Sequence, residues 1–542
     1  MAYLRAAGSR ALAARPGQRR RDARGCDRPE ARGMIDVKTA KKKKSAAPEG
    51  DWPAHRKREA ALRAVQASLA RQPRAIAPAF ERARLLWELG RTGEARQAYL
   101  DLLAVSPGHP GALNDLGSLL QSTGFTTAAR TCHAEAVKCH PEDPTGHVKL
   151  AHLLLEDEQF PQAREHYELA LRLAPDHAEA HQGFANLLAE LGEEEAAREH
   201  RRLGFAGRAL NVLPYRGAGA PVRVLLLVSA VRGNVPIRQF LDDRIFLVTV
   251  IVAEFYDPAA PLPAHRLIVN AIGNADICRP ALEAARRLIA ASPAPVINNP
   301  EAVLATGRVD VARRLGRLPD VVTPAMADVP RETLTAPEAL DALAAKGFAL
   351  PFLLRTPGFN NGRNFFKIES AADLAQALAA LPGREITAIG FLDARGGDGK
   401  IRKYRAMLVD GRIYPLHAAI ARQWKIHYVT AEMADNPEHR AEDAAFLNDM
   451  PAALGPRAMA ALARIRDSLG LDYAGVDFSL SDTGEIIVFE ANATMIVCPP
   501  EPGEQWDYRR APVERVMAAV RAMLAGRAAA RAATALTASP RV

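Results

Sequence analysis

The hydrophobic pattern of the first half of the chain repeats every 34 residues. The columns that share this spacing over residues 76–208 are Leu86, Leu120, Leu154 and Leu188; Ala95, Ala129, Ala163 and Ala197; Gly90, Gly124, Glu158 and Gly192; and Pro107, Pro141 and Pro175. Such a unit predicts two helices of about 12–14 residues, with a glycine at the turn between them and a proline that ends the second helix. We expect four such units, preceded by a capping helix over residues 55–72.

Short, nearly continuous apolar runs replace the helical pattern after residue 210. They lie at residues 222–229, 246–252, 267–271 and 295–298, and residues 280–289 between the last two have a helical pattern. Continuous apolar runs of this length are typical of parallel strands buried on both faces. Strands that alternate with helices predict a small open α/β domain over residues 220–325.

Hairpin patterns characterise residues 326–525. Residues 351–368 predict two strands around a loop rich in Gly and Asn, and residues 401–409 and 412–420 flank Asp410 and Gly411, a strong turn signal. A third hairpin is predicted over residues 475–492, with its turn near Ser481 to Gly484. Helices are expected near residues 338–346, 442–469 and 511–530, and residues 526–542 are expected to fray.

The net charge of +9 belongs to one end of the chain. Residues 1–50 carry 14 Lys or Arg and five Asp or Glu, whereas the other 492 residues carry 57 of each sign. The basicity therefore predicts a disordered, solvated tail and no specific nucleic-acid site in the folded part. Met34 is an alternative start, so part of the tail need not be made.

The remaining composition is ordinary for a soluble protein of several domains, with 48% hydrophobic and 25% charged residues. Five scattered cysteines form no CxxC pair, which indicates a reducing compartment and no structural zinc. No apolar run reaches the roughly 20 residues of a membrane span, and residues 1–20 lack the apolar core of a secretory signal. We therefore expect a cytoplasmic protein.

The third hairpin carries candidate metal ligands. With a two-residue loop Asp477 and Glu490 lie directly opposite, and with a four-residue loop they are diagonal neighbours; either way both share one face with Asn492. Like charges across strands are destabilising by about 0.2–1 kcal/mol. Mg²⁺ removes this penalty and takes hard oxygen ligands, and Mn²⁺ is an alternative ion. A solvated acidic face is the competing interpretation, against which the apolar neighbours Phe478 and Phe489 argue.

Two further segments indicate anion binding. Lys403 and Arg405 share one strand face, and burying two cations is costly unless an anion lies between them, for which a phosphate is the obvious candidate. An exposed cationic strand is the alternative. In the first hairpin, backbone N–H groups of the loop around Gly358 and Gly362 would cradle phosphates beside Arg355. A glycine-containing hairpin loop is common, so that second signal is weak alone.

Residues 76–208 resemble tetratricopeptide repeats. The resemblance implies a solenoid whose concave groove binds a peptide or protein partner, with a packing or dimerisation role as the alternative. Histidines in these repeats show no shared ligand spacing and are expected to be solvated: His133, His140, His147 and His152.

Residues 295–492 resemble the ATP-grasp superfamily, on Asp477, Glu490 and Asn492 in particular. The resemblance implies that these three residues hold Mg²⁺ against ATP phosphates and that residues 351–367 form a lid. It also implies roles for other residues: Arg405 and Lys403 in catalysis, Arg355 and Arg308 at phosphate, and Phe391, Leu392 and Asp393 near adenine and ribose. The family usually has Lys at the position of Arg355, and Ala493-Thr494-Met495 replaces its common Ser/Thr-Pro-Gly, so no substrate is transferred.

The implied fold is a multidomain chain: an all-α tetratricopeptide solenoid, an α/β pre-ATP-grasp domain and an α+β ATP-grasp fold. The expected segments are a disordered basic tail (1–50), repeats (52–208), the α/β domain (220–325), the ATP-grasp domain (326–525) and a frayed tail (526–542). The implied function is a carboxylate–amine ligase, or carboxylate–thiol ligase, that uses Mg-ATP and an acylphosphate. An inactive scaffold and an ATP-grasp kinase are the alternatives.

Overall fold

The structure is a computed structural model that describes residues 52–358, 363–426 and 431–537. The predicted basic tail therefore lies outside the described residues. The helical repeats come first, and three β-sheets follow them.

Nine helices form the repeat array over the described residues 52–205. They are α1 Trp52–Arg71, α2 Ile76–Glu88, α3 Thr92–Val105, α4 Pro110–Ser122, α5 Thr126–Cys139, α6 Pro144–Glu156, α7 Phe160–Leu173, α8 Ala178–Glu190 and α9 Glu194–Phe205. The four expected helix pairs and the preceding helix α1 are all present. Ala95, Ala129, Ala163 and Ala197 have no exposed surface, so the small residue at this position lets the paired helices approach closely.

The turn within each pair uses a left-handed backbone. Its φ angle is 75° at Gly90, 87° at Gly124, 61° at Glu158 and 80° at Gly192. Glycine adopts positive φ at no steric cost, whereas a residue with a Cβ atom is strained there. The fold of the repeat therefore outweighs the local preference of Glu158.

The expectation of solvated histidines in the repeats is wrong for His133 and His147. Both are buried between helices, at 0% and 2% exposure. Burial lowers the pKa of His133 to about 4, because the protonated ring would be desolvated. His147 contacts the Pro141 carbonyl through Nε2 at 2.9 Å and the His166 ring through Nδ1 at 2.9 Å. These rings contribute to helix packing.

The first sheet contains the four apolar runs that were predicted to be strands, together with an additional strand before them. Its strands are β1 Leu210–Val212, β2 Val222–Val228, β3 Phe246–Val252, β4 Leu267–Asn270 and β5 Val296–Ile297, in the order β1-β3-β2-β4-β5. Strands β2 to β5 are parallel, and β1 adds an antiparallel edge. The helices of this unit are α10 Arg279–Ala290, α11 Pro300–Leu304 and α12 Arg308–Leu315.

The other two sheets contain the predicted hairpins. Strand β6 Val321–Val322 belongs to the third sheet. The second sheet contains β7 Met326–Pro330, β8 Phe352–Arg355, β9 Phe365–Ile368 and β10 Glu385–Gly390, in the order β7-β10-β8-β9. The third sheet adds β11 Ile401–Val409, β12 Arg412–Ala421, β13 Tyr473–Leu480 and β14 Ile486–Asn492 in the order β12-β11-β13-β14-β6. Their helices are α13 Arg331–Thr335, α14 Ala339–Ala345, α15 Ala371–Ala380, α16 Pro437–Asn448, α17 Met450–Leu469 and α18 Arg510–Thr537.

The first and third sheets share their hydrophobic cores, whereas the second sheet has its own. The Asn298 side chain, just after β5, bonds the backbone of Tyr473 in β13, accepting at 2.8 Å and donating at 2.7 Å. Helix α18 packs its apolar side into one of the shared cores and extends through Thr537, past residue 526 where fraying was expected. The described helices include none that is long and apolar enough to span a membrane.

Candidate functional site

Four polar residues form a row across the third sheet. His417 on β12, Arg405 on β11, Asp477 on β13 and Glu490 on β14 are paired in register, so their side chains lie on one face. The predicted turn Asp410-Gly411 forms, with φ of 48° and 75°. The row therefore joins the cationic and the acidic strands of the two predicted hairpins.

The turn between β13 and β14 differs from both predicted lengths. Leu480 pairs with Ile486, which leaves a loop of five residues. Such a loop alone would place Phe489 opposite Asp477, but the register shifts next to Asp477 and brings Glu490 opposite it. A β-bulge of this kind redirects side chains beside functional sites.

Asp477 is bound by two cations. Arg405 donates to its carboxylate at 2.6 and 2.8 Å, and Lys403 Nζ lies 2.7 Å from it. Burial opposes ionisation of this 1% exposed carboxyl, but Arg405 and Lys403 outweigh it and hold its pKa well below the usual range. The anion between the two cations is thus Asp477 itself, where a phosphate was expected.

Glu490 is bound by a different pair of side chains. Arg308, the first residue of α12, forms an ion pair with it, and Asn492 Nδ2 donates to the same oxygen at 2.8 Å. Burial raises the pKa of Glu490, and the charges of Arg308 and Arg355 overcome this effect and lower it. The two carboxylates are therefore neutralised by side chains that lie within the protein.

Arg355 brings a fourth cation to this region. It lies at the end of β8, with its guanidinium 5.9 Å from the centre of the Phe365 ring. Burial, and then the charge of Arg308, lower its pKa to about 10. Arg308, Arg355, Lys403 and Arg405 thus lie among three carboxylates, those of Asp477, Glu490 and Asp276, which leaves one positive charge in excess for a polyphosphate.

The donor set at this site fits Mg²⁺ in its chemistry. Asp477 and Glu490 supply carboxylate oxygens on neighbouring strands, and Asn492 supplies an amide oxygen that also accepts from Thr494 at 2.8 and 2.9 Å. The ion would compete with Lys403 and Arg308 for the carboxylates. No cluster of three or more His, Cys, Asp or Glu with metal-binding geometry occurs in the part of the chain that the structure describes. The metal site stays a prediction.

A cleft lies beside Glu490. It is narrow, with a volume of about 30 Å³, and it is lined by the loop after β4, the start of α12 and strand β14. Asp276, in the loop after β4, accepts from the backbone N–H of Arg308 at 2.9 Å and so orients the start of α12. Sequence reasoning missed Asp276, although ligands of parallel sheets bind where strands end, which was the available signal.

A second, open cleft lies along the hairpin of β8 and β9. It is lined by Phe365, Lys367 and Trp424, among others. Trp424 packs edge-on against Phe365 and Phe391, with ring centres 5.5 and 6.3 Å apart. Lys367 Nζ lies 4.5 Å from the centre of the Phe391 ring. Lys367 was not among the predicted site residues, although a cation at the second strand of the hairpin was visible in the sequence.

The remaining residues predicted to contact the nucleotide lie in loops or outside the described residues. Leu392 packs with Trp424 and Phe489 in a small apolar cluster, and Asp393 is bound to Arg395 of its own loop at 2.9 Å. Gly358 follows β8 with φ of 82°, and a Cβ atom there would lie 2.9 Å from Ile277. Gly362 lies outside the described residues. The roles of these residues stay predictions.

A second buried cluster, which the sequence did not suggest, adjoins the row at His417. His417 is 5% exposed, and burial followed by the charges of Arg405 and Arg509 keeps its pKa well below the usual range. Asp443 has no exposed surface, accepts from Ala418 N and Tyr508 O–H at 2.7 Å each, and lies 3.6 Å from Arg509. This cluster supports β12 beneath Arg405.

Comparison with known proteins identifies the repeats. A tetratricopeptide-repeat family model matches residues 54–112, 80–144 and 148–202. The N-terminal region thus consists of tetratricopeptide repeats, and an α/β region with mixed sheets follows it. A search of curated proteins finds no match for the chain.

Several solved structures resemble parts of the chain. MamA (41-end) from Desulfovibrio magneticus RS-1 has a TM-score of 0.25 and 21% identity, over 28% of this chain and 90% of its own. A thermophilic tetratricopeptide-repeat protein of Thermus thermophilus has a TM-score of 0.25 and 19% identity, over 28% of this chain and 84% of its own. A RimK domain ATP-grasp protein from Sphaerobacter thermophilus DSM 20745 has a TM-score of 0.35 and 18% identity, over 56% of this chain and 99% of its own. At such TM-scores the likeness alone carries no functional information.

Proposed function

We propose that the chain is a Mg-ATP-dependent ligase that joins a carboxylate to an amine, or to a thiol, through an acylphosphate. The observation that carries the proposal is the cross-strand row in which Arg405, Asp477 and Glu490 are adjacent, with Lys403 and Arg308 bound to the two carboxylates. Cations and metal-competent oxygens in one row are what a triphosphate requires.

The proposed reaction has two steps. A carboxylate oxygen of the substrate attacks the γ-phosphorus of ATP, the bond to the β,γ-bridging oxygen breaks, and ADP leaves. The amine nitrogen then attacks the acyl carbon, the carbon–oxygen bond to phosphate breaks, and the amine proton passes to solvent. Phosphoryl transfer needs positioning and charge stabilisation more than a protein nucleophile.

The cations of the site would act in both steps. Arg405 and Lys403 would release Asp477 in part and bind the transferring phosphoryl group, since they already lie within reach of an anion at this face. Arg355 and Arg308 would neutralise phosphate charge from the opposite side. Asp477, Glu490 and Asn492 would hold Mg²⁺, which would neutralise part of the phosphate charge.

The base of ATP is assigned to the open cleft along the hairpin. Phe365 and Trp424 line this cleft, and Phe391, with Lys367 over its ring, contacts Trp424 from the side. A planar ring stacks favourably on aromatic faces. The tetratricopeptide repeats would bind a peptide or protein, either as the substrate or as its carrier.

One observation favours an inactive scaffold as the second candidate. Asp477 and Glu490 are already neutralised by Arg405, Lys403 and Arg308, so mutual repulsion does not require a metal ion. A kinase that phosphorylates a hydroxyl would use the same row, and it would release ADP without forming an amide.

Binding of a fluorescent ATP analogue, with and without Mg²⁺, tests the proposal. We expect Mg²⁺-dependent binding that Glu490→Gln weakens at least tenfold, because the substitution keeps the shape and removes one charged ligand. Glu485→Gln is the matched control, since Glu485 lies in the turn of the same hairpin and faces Arg457 at 3.6 Å. Absence of nucleotide binding by the folded wild type would overturn the ligase proposal in favour of the inactive scaffold. ADP release from carboxylate–amine pairs, with product analysis, then separates ligase from kinase.

A further inference from the structure

A third cavity lies where the last repeat meets the rest of the protein. Its volume is about 250 Å³. Three parts of the chain form its walls: helices α8 and α9, the loops after β2 and β4, and the segments that follow β8 and precede β10. The polar side chains at its wall include Asn186, Glu194, Arg201 and Arg232. The nucleotide proposal above does not use this cavity.

Arg201 breaks the 34-residue pattern of the repeats at this wall. The equivalent residues of the first three repeats are Tyr99, His133 and Tyr167, and all three have no exposed surface. Those rings pack between helices, as a core position requires. The last repeat has a guanidinium at the same place, and it lines the cavity.

The contacts of Arg201 leave its charge poorly compensated. Its side chain is 12% exposed, and its nearest described carboxylate, Glu194, is 3.9 Å away, too far for a hydrogen bond. The charge of Glu254 also acts on Arg201, at longer range. Its Nε is buried and has no hydrogen-bond partner within the described residues. Burial lowers the pKa of Arg201, which reflects this desolvation. A cation in such surroundings is costly unless an anion joins it.

The other cation at the wall is already engaged. Arg232 forms an ion pair with Glu190, and Glu190 also accepts from Arg363 at 3.1 Å. Glu190 is 12% exposed, so this cluster holds the repeats, the α/β unit and the hairpin together. Arg201 therefore remains the cation that an incoming anion would meet, with the half-buried amide of Asn186 at the same wall.

We propose that this cavity binds the carboxylate of an amino acid or of a peptide C-terminus, with Arg201 as the charged partner and Asn186 as a hydrogen-bond donor. A guanidinium binds a carboxylate through two parallel hydrogen bonds, which matches one cation in a cavity of this size. The site is separate from the ATP chemistry. One loop joins the two, because Asp276 lines the cleft beside Glu490 and Ile277 lines this cavity.

Calorimetric titration of the full chain without nucleotide tests the proposal, with alanine, dialanine, dialanine amide and inorganic phosphate as probes. For a ligand as small as dialanine we expect a dissociation constant of about 1 mM. Arg201→Tyr, which installs the residue of two other repeats, should weaken binding about tenfold to a hundredfold. Arg198→Tyr is the control on the same helix, because Arg198 is 71% exposed, and it should bind like the wild type.

The pattern across probes decides the outcome. Binding of dialanine with at least tenfold weaker binding of its amide supports a carboxylate site, and comparison with alanine tells a peptide end from a free amino acid. Phosphate binding as tightly as dialanine, equal binding of the amide, or retention of affinity in a folded Arg201→Tyr variant would each overturn the proposal. Absence of heat with the folded wild type at about 10 mM dialanine would do the same.

Discussion

Glu490 lies directly opposite Asp477 only because the chain bulges between them. The five-residue turn would otherwise set Phe489 against Asp477 and turn Glu490 to the other face of the sheet. The bulge places both carboxylates in one row with Arg405. A local irregularity of one residue thus determines whether this sheet carries a charged site.

Replacement of Asp477 by Asn should destabilise the fold by about 2–4 kcal/mol, because Arg405 and Lys403 would lose the carboxylate that compensates their charges. Both cations are partly buried, at 19% and 15% exposure. Urea denaturation measures the free energy of unfolding. Asp398→Asn is the matched control, since Asp398 pairs with Arg402 in an exposed position and its loss should be much smaller. Equal losses would contradict the central role of Asp477.

The buried carboxyl of Asp443 should contribute stability that falls as pH rises from about 4 to 6, whereas His133 and His417, whose pKa values burial lowers, contribute in the opposite direction. Burial raises its pKa to about 6, against about 3.9 in the unfolded chain, so the folded state binds more protons within this window. The expected loss is about 3 kcal/mol, constant above pH 6. The difference in the free energy of unfolding between the wild type and Asp443→Asn, from urea denaturation at several pH values, should change by this amount between pH 4 and 6, whereas the difference for Asp435→Asn, an exposed control, should stay constant. A difference for Asp443→Asn that does not vary with pH would contradict the prediction.

Glu158→Gly should stabilise the repeats by up to about 1 kcal/mol, because glycine relieves the strain of a positive φ. The substitution removes only an exposed contact, with Arg363 at 3.5 Å. Gly124→Ala is the opposite change at the equivalent turn. It meets no atom within 4 Å, so its expected destabilisation comes from the backbone alone. Thermal unfolding of both variants checks the pair, and a loss of stability in Glu158→Gly would indicate that the contact matters more than the strain.

Nucleotide binding should change the fluorescence of Trp424, if the base stacks near Phe391 as proposed. The wild type has four tryptophans, so the variant Trp424→Phe assigns the signal. We expect it to lose the change while keeping the affinity, because phenylalanine retains an aromatic face. Trp424→Ala should weaken binding about tenfold, as loss of a stacked ring does. If Trp424→Phe shows the same fluorescence change as the wild type, the base does not bind in this cleft.

Much of the architecture was visible in the sequence. The 34-residue period predicted the helix pairs and the turn at Glu158, and the apolar runs predicted β2 to β5. Asp410-Gly411 predicted its hairpin. Each of these depends on neighbours within one turn or one hairpin, whose preferences are encoded locally. The shared face of Asp477 and Glu490 was predicted from a turn of two or four residues, whereas in the structure the bulge at Phe489 produces it.

The contacts that give the site its charge were decided by the tertiary structure. Arg308 meets Glu490 from 182 residues away, and the carboxylate between Lys403 and Arg405 comes from Asp477, 72 residues after Arg405. The bulge at Phe489, the left-handed Glu158 and the cavity at Arg201 also depend on packing between distant segments. The sequence by itself therefore determined most of the helices and strands and the 34-residue repeat. Which side chains meet was decided by the fold, because the free energy of those contacts arises only when the sheets and repeats come together.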